Sequence, residues 1–174
     1  EVTMRRQCAW CKKDMGEVSG EADGQRVITH GICEECAFHL IAQGGMPLQE
    51  FLDGLPEPVM AVDSDVNVQM ANKEISRLLH KDLSLNVGAK GGEVFECKYA
   101  RFPEGCGGTI HCSGCAIRRT ITETFLSGQS QEKVPACLRQ IPSDPGEEQE
   151  VRLLISTEKV NGVVLLRIDE VELQ

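Results

Sequence analysis

Apolar positions along the chain change period several times, and each change predicts an element. In "PLQEFLDGL", Leu48, Phe51, Leu52 and Leu55 fall on one helical face, and Pro56 and Pro58 close the helix. "VMAVD" and "VNVQMA" read as two strands around the polar turn "DSD", with Val66, Val68 and Met70 alternating. "NKEISRLLH" returns to helical spacing at Ile75, Leu78 and Leu79. Residues 81–114 are rich in Gly and Cys and carry little periodicity. From Cys115 to Leu126, Ile117, Ile121 and Phe125 recur four apart, and Gly128 supplies the stop. Three strands follow: "EKVPACLRQI", then "EVRLLIST" with Val151, Leu153 and Ile155 alternating, then "VVLLRIDEV". The last two flank Asn161-Gly162, a strong hairpin signal. Two strands, short helices and three strands predict an α+β fold, a five-stranded antiparallel sheet with its helices on one face.

Residues 1–45 do not share this pattern. Their apolar content is small apart from "ECAFHLIAQGG", which predicts one brief helix stopped by Gly44 and Gly45. A unit of this size needs a metal or disulfides to stay folded. It carries Cys8-x-x-Cys11 and Cys33-x-x-Cys36, two thiolate pairs with 21 residues between them. Each pair can bite a metal from one tight turn, and the spacing is close to that of tetrahedral zinc, so a structural zinc site is expected. A rubredoxin-like iron site has compatible spacing. A thioredoxin-type redox pair needs a βαβ context that is absent. His30 and His39 lie near the ligands, but four cysteines complete the shell and leave the histidines supporting or surface roles. The chain thus divides into a small zinc-binding module of four cysteines at 1–45 and a larger domain at 46–174.

Composition narrows the function classes. Acidic residues outnumber basic ones 27 to 18, the wrong balance for a phosphate-binding surface, so nucleic acid is not an expected partner. No run of about 18 apolar residues and no charged-then-apolar leader are present, so neither a membrane partner nor secretion is expected and the chain reads as cytoplasmic. In that setting nine cysteines, an odd number, point to metal or redox chemistry and not to a disulfide framework.

A second group, Cys97, Cys106, Cys112 and Cys115, has eight, five and two intervening residues and fits no standard finger or ferredoxin spacing. Cys112 and Cys115 fall at the start of the expected helix, where free N–H groups and the helix dipole favour thiolate. Gly105, Gly107, Gly108 and Gly114 let backbone approach the sulfurs. An iron-sulfur cluster is the preferred occupant, zinc the alternative, and disulfides or free thiols the third reading. Covalent c-type haem is excluded because Ala116 and Lys12, not His, follow Cys115 and Cys11. A noncovalent haem or flavin has no supporting motif, with one Trp and one Tyr in the chain. Cys137, on an expected strand, reads as a small buried or half-buried side chain, or as a fifth thiol if it faces the pocket. His80 and His111 read as ordinary polar residues, although His111, next to Cys112, is placed to bond a thiolate or to replace a ligand.

The element order, with "GLPEPVMAVDSD" and "VVLLRIDEV", resembles a PAS sensory domain over roughly Leu48 to Leu173. Asp169, Glu170 and Val171 match that family's usual ending, but Glu172 stands where Thr is expected. "ECKYARFPEGCGGTIHCSGCAIR" is similar to a cysteine-rich PAS variant, and in PAS domains this region walls the ligand pocket. "THGICEECAFHL" resembles a zinc-ribbon-like segment of bacterial sensor proteins, typically "HGICPEC", with Glu34 at the Pro position. These resemblances imply a non-enzymatic sensory module that signals to an output domain or histidine kinase; the first reading of the chain adds that its second cysteine site reports redox state, oxygen or metal. The competing reading is a structural zinc-binding module that recruits a partner or forms a homodimer. A disulfide-exchanging redox enzyme is a weaker third, since no acid–base constellation is visible.

Overall fold

The computed structural model describes residues 2–9, 11–20, 28–37, 46–83, 87–141, 147–160 and 162–173. At the start, β1 (Val2–Cys8) pairs antiparallel with β2 (Asp14–Gly20) and parallel with β3 (Ile28–Gly31), giving a small sheet in the order β2-β1-β3. The pattern of "VTMRRQC" is a weak strand signal, because Arg6 interrupts the alternation of Val2, Met4 and Cys8. Its pairing instead leads to the sulfurs: Cys8 ends β1 opposite Gly31, two residues before Cys33. A helical turn occupies 34–37, and the rest of the helix expected there, 38–45, lies outside the described residues.

The larger sheet contains β4 (Val59–Val62), β5 (Val68–Ala71), β6 (Gln131–Gln140), β7 (Gln149–Val160) and β8 (Val163–Leu173), in the order β5-β4-β8-β7-β6. All neighbours are antiparallel, as the sequence pattern predicts. Helices α1 (Met46–Asp53), α2 (Lys73–Leu78), α3 (Gly91–Val94) and α4 (Ala116–Ser127) complete the architecture. No helix among the described residues is long and apolar enough to cross a membrane.

Side chains on a strand point alternately to its two faces, and here both faces are covered. Met60 and Val62 of β4, with Val164, Leu166 and Ile168 of β8, share a core with Ile75, Val94, Ile117 and Ile121 from α2, α3 and α4. Val59 and Ala61, with Val160 and Leu165, point the other way. They pack with Phe51 and Leu52 of α1 and with Cys8, Ile32, Cys33, Cys36 and Ala37. The helices α2 to α4 therefore take one face, while α1 and the four-cysteine segment take the opposite one. Burial of the second face explains its charges: Arg6 of β1 pairs with Glu158 of β7 at 2.5 Å, the two side chains only 12% and 16% exposed.

Asn72 joins several elements. Fully buried, it caps α2 by accepting from the Ile75 N–H at 3.0 Å, and it accepts from the Val59 N–H at 3.0 Å. Its amide donates to the carbonyls of Leu52 at 3.0 Å and Glu57 at 2.8 Å. The β4–β5 hairpin is present, but its second strand begins at Val68. Val66, expected in the strand, sits in the turn at φ +62°, an uncommon conformation for a β-branched residue. The Asp63 carboxylate braces this turn by accepting from the N–H groups of Asp65 and Asn67, both at 2.9 Å.

Candidate metal centres

The first centre is assembled by two backbone knuckles. After Cys8 the chain reverses through Lys12 at φ +62°, with the Lys12 N–H donating to the Cys8 carbonyl at 2.9 Å and the Cys8 N–H to Lys13 O at 2.8 Å. Opposite, Cys33 opens the helical turn that carries Cys36, and its N–H donates to Cys8 Sγ at 3.5 Å. All four sulfurs, of Cys8, Cys11, Cys33 and Cys36, lie within 4.8 Å of one another, and Cys11 and Cys33 are 3.7 Å apart. A tetrahedron with metal–sulfur bonds of about 2.3 Å has edges of about 3.8 Å, so the arrangement is close to what one ion requires. Burial, then the neighbouring sulfurs, push the Cys36 thiol strongly up. A single cation between them would hold all four as thiolates against that mutual repulsion. His39 lies outside the described residues, and so does the side chain of His30.

The second group converges differently. Cys97, Cys106, Cys112 and Cys115 line one cavity of about 240 Å³ between α3, the 3-10 turns Lys98–Arg101 and Ile110–Gly114, the start of α4 and β6. Among the described residues only the N-terminal four sulfurs are drawn close enough for a single ion. A water needs roughly 10–15 Å³ by the same kind of measure, so this cavity has room for a group larger than one ion. The donor chemistry and the space therefore fit a thiolate-held cluster.

Local geometry holds each sulfur. Cys115 is the N-cap of α4, as the sequence predicts, and Gly128 at φ +72° ends that helix. Cys112 Sγ receives the Gly107 N–H at 3.2 Å and lies 3.2 Å from Thr109 Oγ1. Burial works against its thiolate, but the bonds from Thr109 and Gly107 and the nearby Arg118 charge hold Cys112 below the usual thiol range. Cys97, more deeply placed, is pushed up by burial. Its loop is tied to β6 by Gln140 Nε2 donating to Phe95 O at 2.8 Å and by the Ile141 N–H donating to Glu96 O at 3.3 Å. Cys106 depends on Gly92, where an added Cβ would lie 2.7 Å from its sulfur.

Cys137 borders the pocket through its place on β6, but the strand turns its thiol away from the four other sulfurs. On β6 its neighbours Ala136 and Leu138 point into the core, so its side chain stands on the outer face, exposed, with Arg152 opposite. His111 stacks on Tyr99, ring centroids 4.0 Å apart, and the side chain at the Cys112 sulfur is Thr109. His80 is exposed just beyond α2. Sequence reasoning missed Arg118, which lines the cavity beside Cys106 and bonds to Asp65, 53 positions away. No local signal marks that contact.

No family model and no curated protein matches the chain. Solved structures similar to it include the photoactive yellow protein domain of the sensor histidine kinase Ppr from Rhodospirillum centenum. That likeness is 17% identity over 76% of this chain and 97% of that one, with a TM-score of 0.43. The PAS domain of an HTR-like protein from Haloarcula marismortui gives 16% identity, 76% and 99% coverage and a TM-score of 0.39. The Rhodobacter sphaeroides LOV protein gives 13% identity, 76% and 65% coverage and a TM-score of 0.46. Likeness at this level says nothing about what the chain binds.

Proposed function

We propose that the chain is a non-enzymatic, cytoplasmic signal-sensing module of PAS type, with zinc held by Cys8, Cys11, Cys33 and Cys36 and an iron-sulfur cluster held by Cys97, Cys106, Cys112 and Cys115. The observation that carries this reading is the convergence of the second four cysteines on one cavity while their sulfurs stay outside single-ion spacing. When bound, such a cluster supplies one-electron redox chemistry and sensitivity to oxygen. The protein's part is mechanical. Cys115 begins α4, and α4 packs along β6, β7 and β8, with Thr124 and Thr157 joined through their hydroxyls at 2.7 Å in the core. The segment that carries Cys97 is bridged to β6, and Cys106 lies against Gly92 of α3. Release of the sulfurs frees the loops and the first turn of α4 together, which biases how that helix sits on the sheet. The output is a signalling domain or histidine kinase, and a homodimer is the arrangement through which such a module would act.

Hydrogen exchange tests this directly. Amides of residues 97–126 should exchange faster once the second site is emptied or oxidised, with β7 and β8 unchanged. Unaltered exchange on metal loss would sink the mechanism. Zinc at both sites with indifference to air would favour a structural interaction module instead.

A further inference from the structure

Arg118 stands three residues after Cys115 on the first turn of α4, its side chain 21% exposed. Its guanidinium lines the second cavity together with Cys106, whose sulfur and the guanidinium charge favour one another. On its other side, Nη1 donates to Asp65 Oδ1 at 2.9 Å and Nη2 to the Asp65 carbonyl at 3.2 Å. The space it occupies exists because residue 107 is glycine: at φ +93°, an added Cβ there would lie 2.4 Å from Nη2. Asp65 is also paired with Lys90, which precedes α3. It belongs to the same turn as Val66, whose buried side chain lines the cavity.

A site built from four thiolates keeps net negative charge after it takes up a metal or cluster. A guanidinium relieves that charge without competing for the metal, because it has no lone pair to donate and does not deprotonate. Its planar fork can bond a sulfur and a carboxylate at once, which an ammonium does less well. We infer that Arg118 is the positioning residue of the second cysteine site: it compensates charge at Cys106 and ties the site to the β4–β5 turn through Asp65. The state of the sulfurs then reaches two elements, α4 and the hairpin. This inference rests on the reading of Cys97, Cys106, Cys112 and Cys115 as one metal centre.

The test uses the full chain as wild type, Arg118→Gln, Arg118→Lys and Asp65→Asn. Each is reconstituted without oxygen using ferrous iron and sulfide, with zinc at the first site and far-UV circular dichroism as folding controls. Iron release to a ferrous chelator and the midpoint potential are then measured. Loss of a supporting group around a metal typically costs about 10–100-fold in affinity, so Arg118→Gln should release iron about that much faster and titrate at a more negative potential. Arg118→Lys, retaining charge without the fork, should fall between, and Asp65→Asn should shift in the same direction by less. If Arg118→Gln fails to fold, the lysine variant carries the comparison. Wild-type release and potential in a folded, iron-loaded Arg118→Gln would overturn the inference and leave the cluster reading standing. Uptake of zinc in place of iron by the wild type would overturn the cluster reading, and zinc release to a chelator then decides the role of Arg118. A wild type that holds neither metal at the second site would overturn both.

Discussion

Arg6→Met removes the cation from the face where the N-terminal sheet meets β7. Arg6 pairs with Glu158 at 2.5 Å and donates to Ser130 Oγ at 3.0 Å, and both members of the ion pair are largely buried. Burial already pushes the Glu158 carboxyl above its ordinary 4.5, and Arg6 is the main influence pulling it back, while Glu132 pushes the same way as burial. Without Arg6, the carboxylate is left buried near a second carboxylate. Removing one partner of a buried pair costs about 3–5 kcal/mol, and the residual exposure places this case near the lower end, about 3 kcal/mol at pH 7. For a chain of this size that is a fall in Tm of about 6–12 °C. The sign of the pH dependence follows from the raised value. A carboxyl that titrates higher when folded than when unfolded binds a proton on folding, so its cost to stability grows as pH rises through that window and disappears below it. The deficit of Arg6→Met should therefore shrink as pH is lowered from 7 towards about 4.5. Denaturant unfolding of wild type, Arg6→Met, Glu158→Gln and the double variant across pH measures it. The double variant should recover most of the loss at pH 7, because no buried charge remains unpaired. A deficit that is flat with pH, or a double variant as unstable as Arg6→Met, would refute the reasoning.

Other consequences follow from single residues. Cys33→Ser, or a strong chelator, should abolish zinc binding and amide protection in β1 to β3 while the larger sheet persists, read by hydrogen exchange on the metal-free chain. Gly92→Ala should deplete the second site of metal and leave the first loaded, because its Cβ meets the Cys106 sulfur at 2.7 Å; metal analysis of the purified variant checks this. Asn72→Ala removes a helix cap and leaves the Leu52 and Glu57 carbonyls without its amide, which should lower stability by about 2–4 kcal/mol in denaturant unfolding.

The elements legible in the sequence are those whose burial is periodic. Ile117, Ile121 and Phe125 mark α4, and the alternation of Val151, Leu153 and Ile155 marks β7, because each faces one core. The two N-terminal cysteine pairs were legible for a different reason: a knuckle is a local structure with fixed spacing. The small sheet of β1 to β3 was not, since its strands are short and Arg5, Arg6 and Gln7 break the apolar pattern of β1. Nor was the covering of the larger sheet on its second side. Arg6, Glu158 and Arg167 read as solvated positions in isolation, and only the packing of Ile32, Phe51 and Leu165 shows that they are enclosed. Within the cysteine cavity, the glycines hide periodicity, and the contacts that fix the loops join Phe95 to Gln140 and Asp65 to Arg118, far apart along the chain.

Iron, zinc and acid-labile sulfide should be counted per chain on protein purified without oxygen, beside a variant with Cys97, Cys106, Cys112 and Cys115 replaced by Ser. One zinc, together with several irons and matching sulfide that vanish in the variant, is the result expected of a zinc-stapled module docked on a cluster-binding sensory domain. Two zincs without iron, or iron and sulfide that survive loss of those four cysteines, would contradict it.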